Sequence, residues 1–136
     1  MHAAIKPVSF ILIVFAVSLA VAGQITLRRG MNSLTERTGL EGTDLLKHPV
    51  TFIKEILKTW VVLLGLLFFV SSAFFWLMVL SSVPLGVAYP FVALTYIAVM
   101  VYDKVFENYP INAWNWVGVA LIVFGVVMIS LRATPE

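Results

Sequence analysis

Gln24, Arg28 and Arg29 stand at the end of one apolar run; Tyr89 and Tyr96 lie inside another, and Glu107 follows that run closely. An arginine presents a planar fork of N–H donors that can grip an oxyanion at two points. Gln24 precedes Arg28 by four residues, one helical turn, and offers a donor and an acceptor on one amide. Tyr89 and Tyr96 are seven residues apart, so a continuous helix puts both on one face, where each ring can stack and each phenol can hydrogen-bond. Glu107 can accept from a cation. Each of these residues also has a plainer reading. Arg28 can snorkel to a membrane surface as a topological anchor. Tyrosines collect in the interfacial belt, a reading that fits Tyr102 and Tyr109 better than the deeper Tyr89 and Tyr96. Glu107 can simply pair with Lys104 across one turn.

The elements that must hold these groups are membrane spans. The chain is 61% hydrophobic and 12% charged, with mean hydropathy +1.01. A soluble domain of 136 residues cannot bury that much apolar surface, so its solvent is largely lipid. There is no cysteine, which excludes disulfides and thiolate metal sites, and His2 and His48 lie apart from any cluster of carboxylates. No cofactor and no metal is expected. The net charge is only +2, and the charges follow the edges of the apolar runs as membrane flanks do, so nucleic acid is not an expected partner.

The spacing predicts an all-α membrane protein, a single domain with four transmembrane helices over about 8–28, 59–80, 84–102 and 114–131. A signal peptide is the rival reading of the first run, since Lys6 precedes it and Ala20, Ala22 and Gly23 are small, but the run is long for one. Ala16 with Ala20 and Ser18 with Ala22 are small pairs suited to close helix contact. Residues 29–50 read as a polar connection. From Pro49 on, Ile53, Ile56, Leu57 and Trp60 share a face that excludes Lys54, Glu55 and Lys58, so an amphipathic segment over 50–58 either lies in the interface or extends the second span. Ser71 and Ser72 either bond back to their own helix or line a polar cavity. Ser81-Ser82 is a very short turn that makes the second and third spans antiparallel neighbours.

Pro90 is the expected hinge, because it leaves the Gly86 carbonyl without its helical partner in a solvent that cannot replace it. Trp114 and Trp116 read as interface anchors of the fourth span, on which Gly118, Leu121 and Gly125 form a small-residue stripe for packing against a second copy or a partner helix. Four spans put both termini on one side. Arg28, Arg29, Arg37, Lys47, Lys54, Lys58 and Lys104 follow the first and third spans, against Lys6 and Arg132 opposite. The positive-inside rule places the longer loops in the cytoplasm and both termini outside.

The segment VPLGVAYP at 83–90, Glu107, WVGVALIVFGVVMIS at 116–130 and VAGQITLRR at 21–29 together resemble four-helix members of the drug/metabolite transporter superfamily. Within it the chain is most similar to the aminoarabinose-phosphoundecaprenol flippase subunits, through the AGQ-then-basic segment, WLMVLSSVPLGVAYP at 76–90, and the placing of Glu107 and Trp116. The long 29–50 connection departs from the compact loop usual there. The small multidrug exporters of the same superfamily carry a glutamate in the first helix, and residues 8–27 here hold no acid, so proton-for-cation exchange is not implied. The tyrosine those exporters use for substrate corresponds to Tyr89.

The resemblance implies a transporter, not an enzyme: an inner-membrane flippase moving a lipid-linked sugar phosphate, with membrane lipids as surroundings. On that reading Arg28, then Arg29, holds the phosphate at the end of the first helix. Gln24 meets the sugar or the phosphate, Tyr89 and Tyr96 meet the sugar, and Glu107 meets an amino group on it. Four helices are few to enclose a passage, so a homodimer or a heterodimer with a homologous subunit is expected. A small-molecule exporter and a non-transporting membrane partner are the alternatives.

Overall fold

The computed structural model describes residues 6–132, without the side chains of Ser130 and Arg132. His2, the tail 133–136 and the Arg132 side chain used in the orientation argument lie outside the described residues. The described chain is helical: α1 (Pro7–Thr38), α2 (Asp44–Lys47), α3 (Pro49–Lys58), α4 (Trp60–Leu80), α5 (Leu85–Val92), α6 (Leu94–Phe106) and α7 (Ala113–Arg132). α1, α4 and the stretch Leu85–Phe106 are long and apolar enough to cross a membrane; the apolar part of α7, Ala113–Ile129, is shorter.

α1 begins at Pro7, whose missing N–H costs nothing in a first turn. It runs through the arginines and well into the segment read as a connection. It stops only where Gly39 adopts φ 73° and returns its N–H to the Thr35 carbonyl at 2.8 Å. Arg28 and Arg29 are therefore inside a helix and not at its end. The residues after them, GMNSLTERT, are polar but contain no proline, so nothing halts the hydrogen-bond ladder before Gly39.

α3 starts with Pro49 and is separate from α4, which removes the reading of 50–58 as a helical extension of the second span. The joint is Thr59, at φ −90° and ψ 95°. Arg37 donates to both Glu55 (3.2 Å) and Thr59 Oγ1 (3.0 Å), tying the end of α1 to that joint.

α1 and α4 are the tightest pair. A Cβ on Gly23 would stand 2.9 Å from Phe69 N, one on Gly30 2.8 Å from Val62 N, and one on Gly65 2.7 Å from Leu27 N. Three glycines thus let two backbones approach where van der Waals contact, not water release, drives helix association. Of the small pairs expected on α1, Ala16 is buried, whereas Ser18 is exposed and bonds back to Val14. At the far end Ser9 and Ser82 are 3.2 Å apart, and Ile13, Val79, Val83 and Ala88 form a small core where α5 joins the pair.

The third apolar run is two helices. Pro90 lies within α5, and the ladder changes at Ala93, where Ala93 N donates to Pro90 O and Tyr96 N to Ala93 O. The Val92 carbonyl at the break is met by Thr95 Oγ1 at 2.7 Å, a side-chain repair of the kind lipid requires. α7 packs on α5 and α6. Nothing lies within 4 Å of a Cβ built on Gly118 or Gly125, and Leu121 is 66% exposed, so the small-residue stripe faces outward from this chain.

Candidate functional site

Two cavities lie along one face of α1, one helical turn apart. The first, of about 240 Å³, is walled mainly by Ala16, Ala20 and Phe69, and takes polar groups from Gln24, Ser72, Tyr89 and Thr95. Ser72 and Thr95 donate their hydroxyls to carbonyls of their own helices, at 2.6 Å and 2.7 Å. Ser72 therefore lines a cavity while still bonding to its own helix, and Ser71 bonds only to Leu67. Neither the Gln24 amide nor the Tyr89 hydroxyl has a side-chain hydrogen bond among the described residues, so both are open polar groups of this wall. Tyr89 stands edge-on to Trp76, with ring centroids 6.0 Å apart.

The second cavity, of about 330 Å³, is lined by Arg28, Tyr96, Asp103, Tyr109 and Asn115 together with apolar side chains. Arg28 carries the contact that organises it. Its Nε donates to Glu107 Oε1 at 2.9 Å and its Nη2 to Oε2 at 2.6 Å, a bidentate pair between α1 and the end of α6. Its Nη1 is 3.9 Å from Asp103 Oδ2. Arg28 is thus neither a bare anchor reaching for water nor an empty anion fork. Its fork is filled by a carboxylate of the same chain.

Several expectations change here. Glu107 pairs with Arg28 and not with Lys104, whose ammonium instead lies 5.1 Å from the Trp116 ring centroid. Arg29 does not line the second cavity. Its Nε donates to the Tyr102 hydroxyl, and its guanidinium packs 5.3 Å from the Tyr102 ring and 5.9 Å from that of Phe106. Tyr89 and Tyr96 do not share a cavity, because the break at Ala93 falls between them. Tyr89 joins Gln24, and Tyr96 joins Arg28.

Two features escaped the sequence reading. Asp103, in the last turn of α6, lines the polar cavity, and its Oδ1 is buried with no hydrogen-bond partner among the described residues. Its spacing of four from Glu107 was the available signal, since residues one turn apart on a helix end face the same way. The second is depth. Leu27 meets Gly65 and Gly30 meets Val62, so Arg28 lies level with the second turn of the apolar helix that starts at Trp60.

Comparison with known proteins gives this geometry a context. No family model matches the chain, and no solved structure matches it. Relatives named "Probable 4-amino-4-deoxy-L-arabinose-phosphoundecaprenol flippase subunit ArnE" do match. The one from Escherichia coli O127:H6 is 30% identical over 118 residues, covering 87% of this chain and 93% of that relative. The one from Shigella flexneri is 30% identical over 120 residues, with the same coverage. The one from Proteus mirabilis is 34% identical over 59 residues, which is 43% of this chain and 52% of that relative. With nearly the whole length of such relatives aligned, the chain belongs to the ArnE family of flippase subunits.

Proposed function

We propose that this chain is a subunit of a flippase that carries a polyprenyl-phosphate-linked amino sugar across the inner membrane, within the drug/metabolite transporter superfamily. The observation that carries the reading is the stacking of two unlike cavities along α1: an apolar one beside Gln24 and Tyr89, and a charged one beside Arg28 one turn further on. A polyprenyl phosphate has the same division. Its charged head suits the Arg28 cavity, and its first apolar units suit the other. Arg28 holds the phosphate after exchanging its bond to Glu107. Gln24, Tyr89 and Tyr96 meet sugar hydroxyls on the way, and Arg29 steadies α6 through Tyr102. α7 is the fourth span, and Pro90 with the Ala93 break is the hinge.

The chain works as a dimer, with itself or with a homologous subunit, through Gly118, Leu121 and Gly125. The longer loops are cytoplasmic and both termini external. α3 lies in the cytoplasmic interface with Lys54 and Lys58 toward headgroups.

The test is transport. The protein is purified from its own membranes with any subunit that stays bound, placed in vesicles, and supplied with a labelled polyprenyl-phosphate amino sugar. Access of the label from each leaflet is then measured. Facilitated crossing that Arg28→Ala slows about tenfold or more, with folded protein unchanged, is the expected result. Uptake of quaternary cations down a proton gradient, with no lipid movement, would establish the small-molecule exporter instead.

A further inference from the structure

The polar cavity is out of charge balance. Among the described residues Arg28 is the one cation lining it, and Asp103 and Glu107 are both carboxylates within reach of Arg28. The nearby cations are committed elsewhere: Lys104 lies over Trp116, and Arg29 is bonded to Tyr102. Glu107 takes two of the three Arg28 nitrogens. The third is 3.9 Å from Asp103, beyond hydrogen-bond length, and Asp103 Oδ1 has no hydrogen-bond partner among the described residues. Asp103 thus keeps a carboxylate largely shielded from solvent, with a side chain 20% exposed and no donor of its own. A group in that condition is expensive to hold unless something completes it.

The consequence appears when a phosphate arrives. To take the Nε and Nη2 edge of Arg28 side-on, it must displace Glu107. A phosphate alone would then leave two carboxylates without a cation beside a new anion, and like charges that close repel. A head bearing both a phosphate and an ammonium solves this by exchange. The phosphate takes Arg28, and the ammonium takes the carboxylates that Arg28 releases.

We infer that Asp103 is a specificity-determining residue: with Glu107 it forms the receptor for an ammonium group on the lipid-linked head, so that the site accepts zwitterionic heads and discriminates against phosphate-only ones. This rests on the flippase reading above. It adds a named acceptor and a reason for selectivity that Arg28 alone does not supply.

The experiment compares binding of two synthetic lipids by the full chain in nanodiscs. Both are polyprenyl-phosphate sugars, identical except that one carries an amine where the other carries a hydroxyl. Wild type is expected to prefer the amine lipid by about tenfold or more. Asp103→Asn should bring the two affinities within about threefold, by weakening the amine lipid and sparing the hydroxyl lipid one uncompensated carboxylate, and Asp103→Glu should restore much of the preference. Glu107→Gln should tighten the hydroxyl lipid, since Arg28 then has no competitor to release. Thermal melting of each variant reports folding separately. An Asp103→Asn protein that melts normally and keeps the full preference overturns the inference while leaving the flippase reading intact. Failure of wild type to bind either lipid overturns both.

Discussion

Arg28 is engaged by an internal carboxylate, Glu107, which on the proposed function competes with an incoming anion. The two N–H donors engaged by Glu107 are the ones a phosphate would use, so the internal pair keeps the guanidinium oriented while no ligand is present. The pair is not a large source of stability: the Arg28 side chain is 46% exposed, and such contacts contribute about 1 kcal/mol or less. Arg28→Lys separates the two roles. A lysine keeps the charge but offers one point instead of a fork. It should leave the melting temperature within a few degrees of wild type while slowing flipping about tenfold, and a variant flipping at the wild-type rate would show that charge alone suffices. Asp103 and Gln24 were unequally legible at this scale. Gln24 stood out as a polar group inside an apolar run. Asp103 lay in a charged stretch, DKVFE, where its spacing of four from Glu107 puts two acids on one face but does not say that this face turns toward a helix far away in sequence.

At the level of the helices, glycine stands in two different settings in this chain. Gly23, Gly30 and Gly65 sit where the α1 and α4 backbones touch, and an added side chain has no room. Gly65→Leu should destabilise the chain by about 1–3 kcal/mol or prevent its accumulation, measured by thermal melting in detergent. Gly118→Leu should change melting by less than about 0.5 kcal/mol, since open space surrounds that position, yet convert a dimer to monomer in light scattering. A dimer that survives Gly118→Leu removes the α7 stripe as its interface. The stripe on α7 was legible from spacing. The α1–α4 crossing was not, because Gly23, Gly30 and Gly65 are complementary only once two helices are laid side by side.

For the molecule as a whole the question is which way it sits. Basic residues gather around Arg37, Lys47, Lys54 and Lys58, and Arg37 fastens that region to the α3–α4 joint. Because the chain has no cysteine, single-cysteine labelling is clean. A cysteine at Thr43 should react with an impermeant maleimide only after the membrane is opened, and one at Ser81 should react in intact cells. The reverse pattern would invert the proposed orientation.

Composition and run length alone determined that this chain lives in lipid as helices, and residue type marked Gln24, Arg28 and Tyr89 as groups lipid would not tolerate without a use. Those are local or summed properties, and a linear string contains them. What only tertiary structure decided is who meets whom. Arg28 finds Glu107 across 79 positions of sequence, Arg29 finds Tyr102, and the break at Ala93 sends two tyrosines of one run to separate cavities. Partner choice depends on helix rotation and depth, and those follow from the packing of several helices at once, here from three glycines that set how closely and at what level α1 and α4 cross.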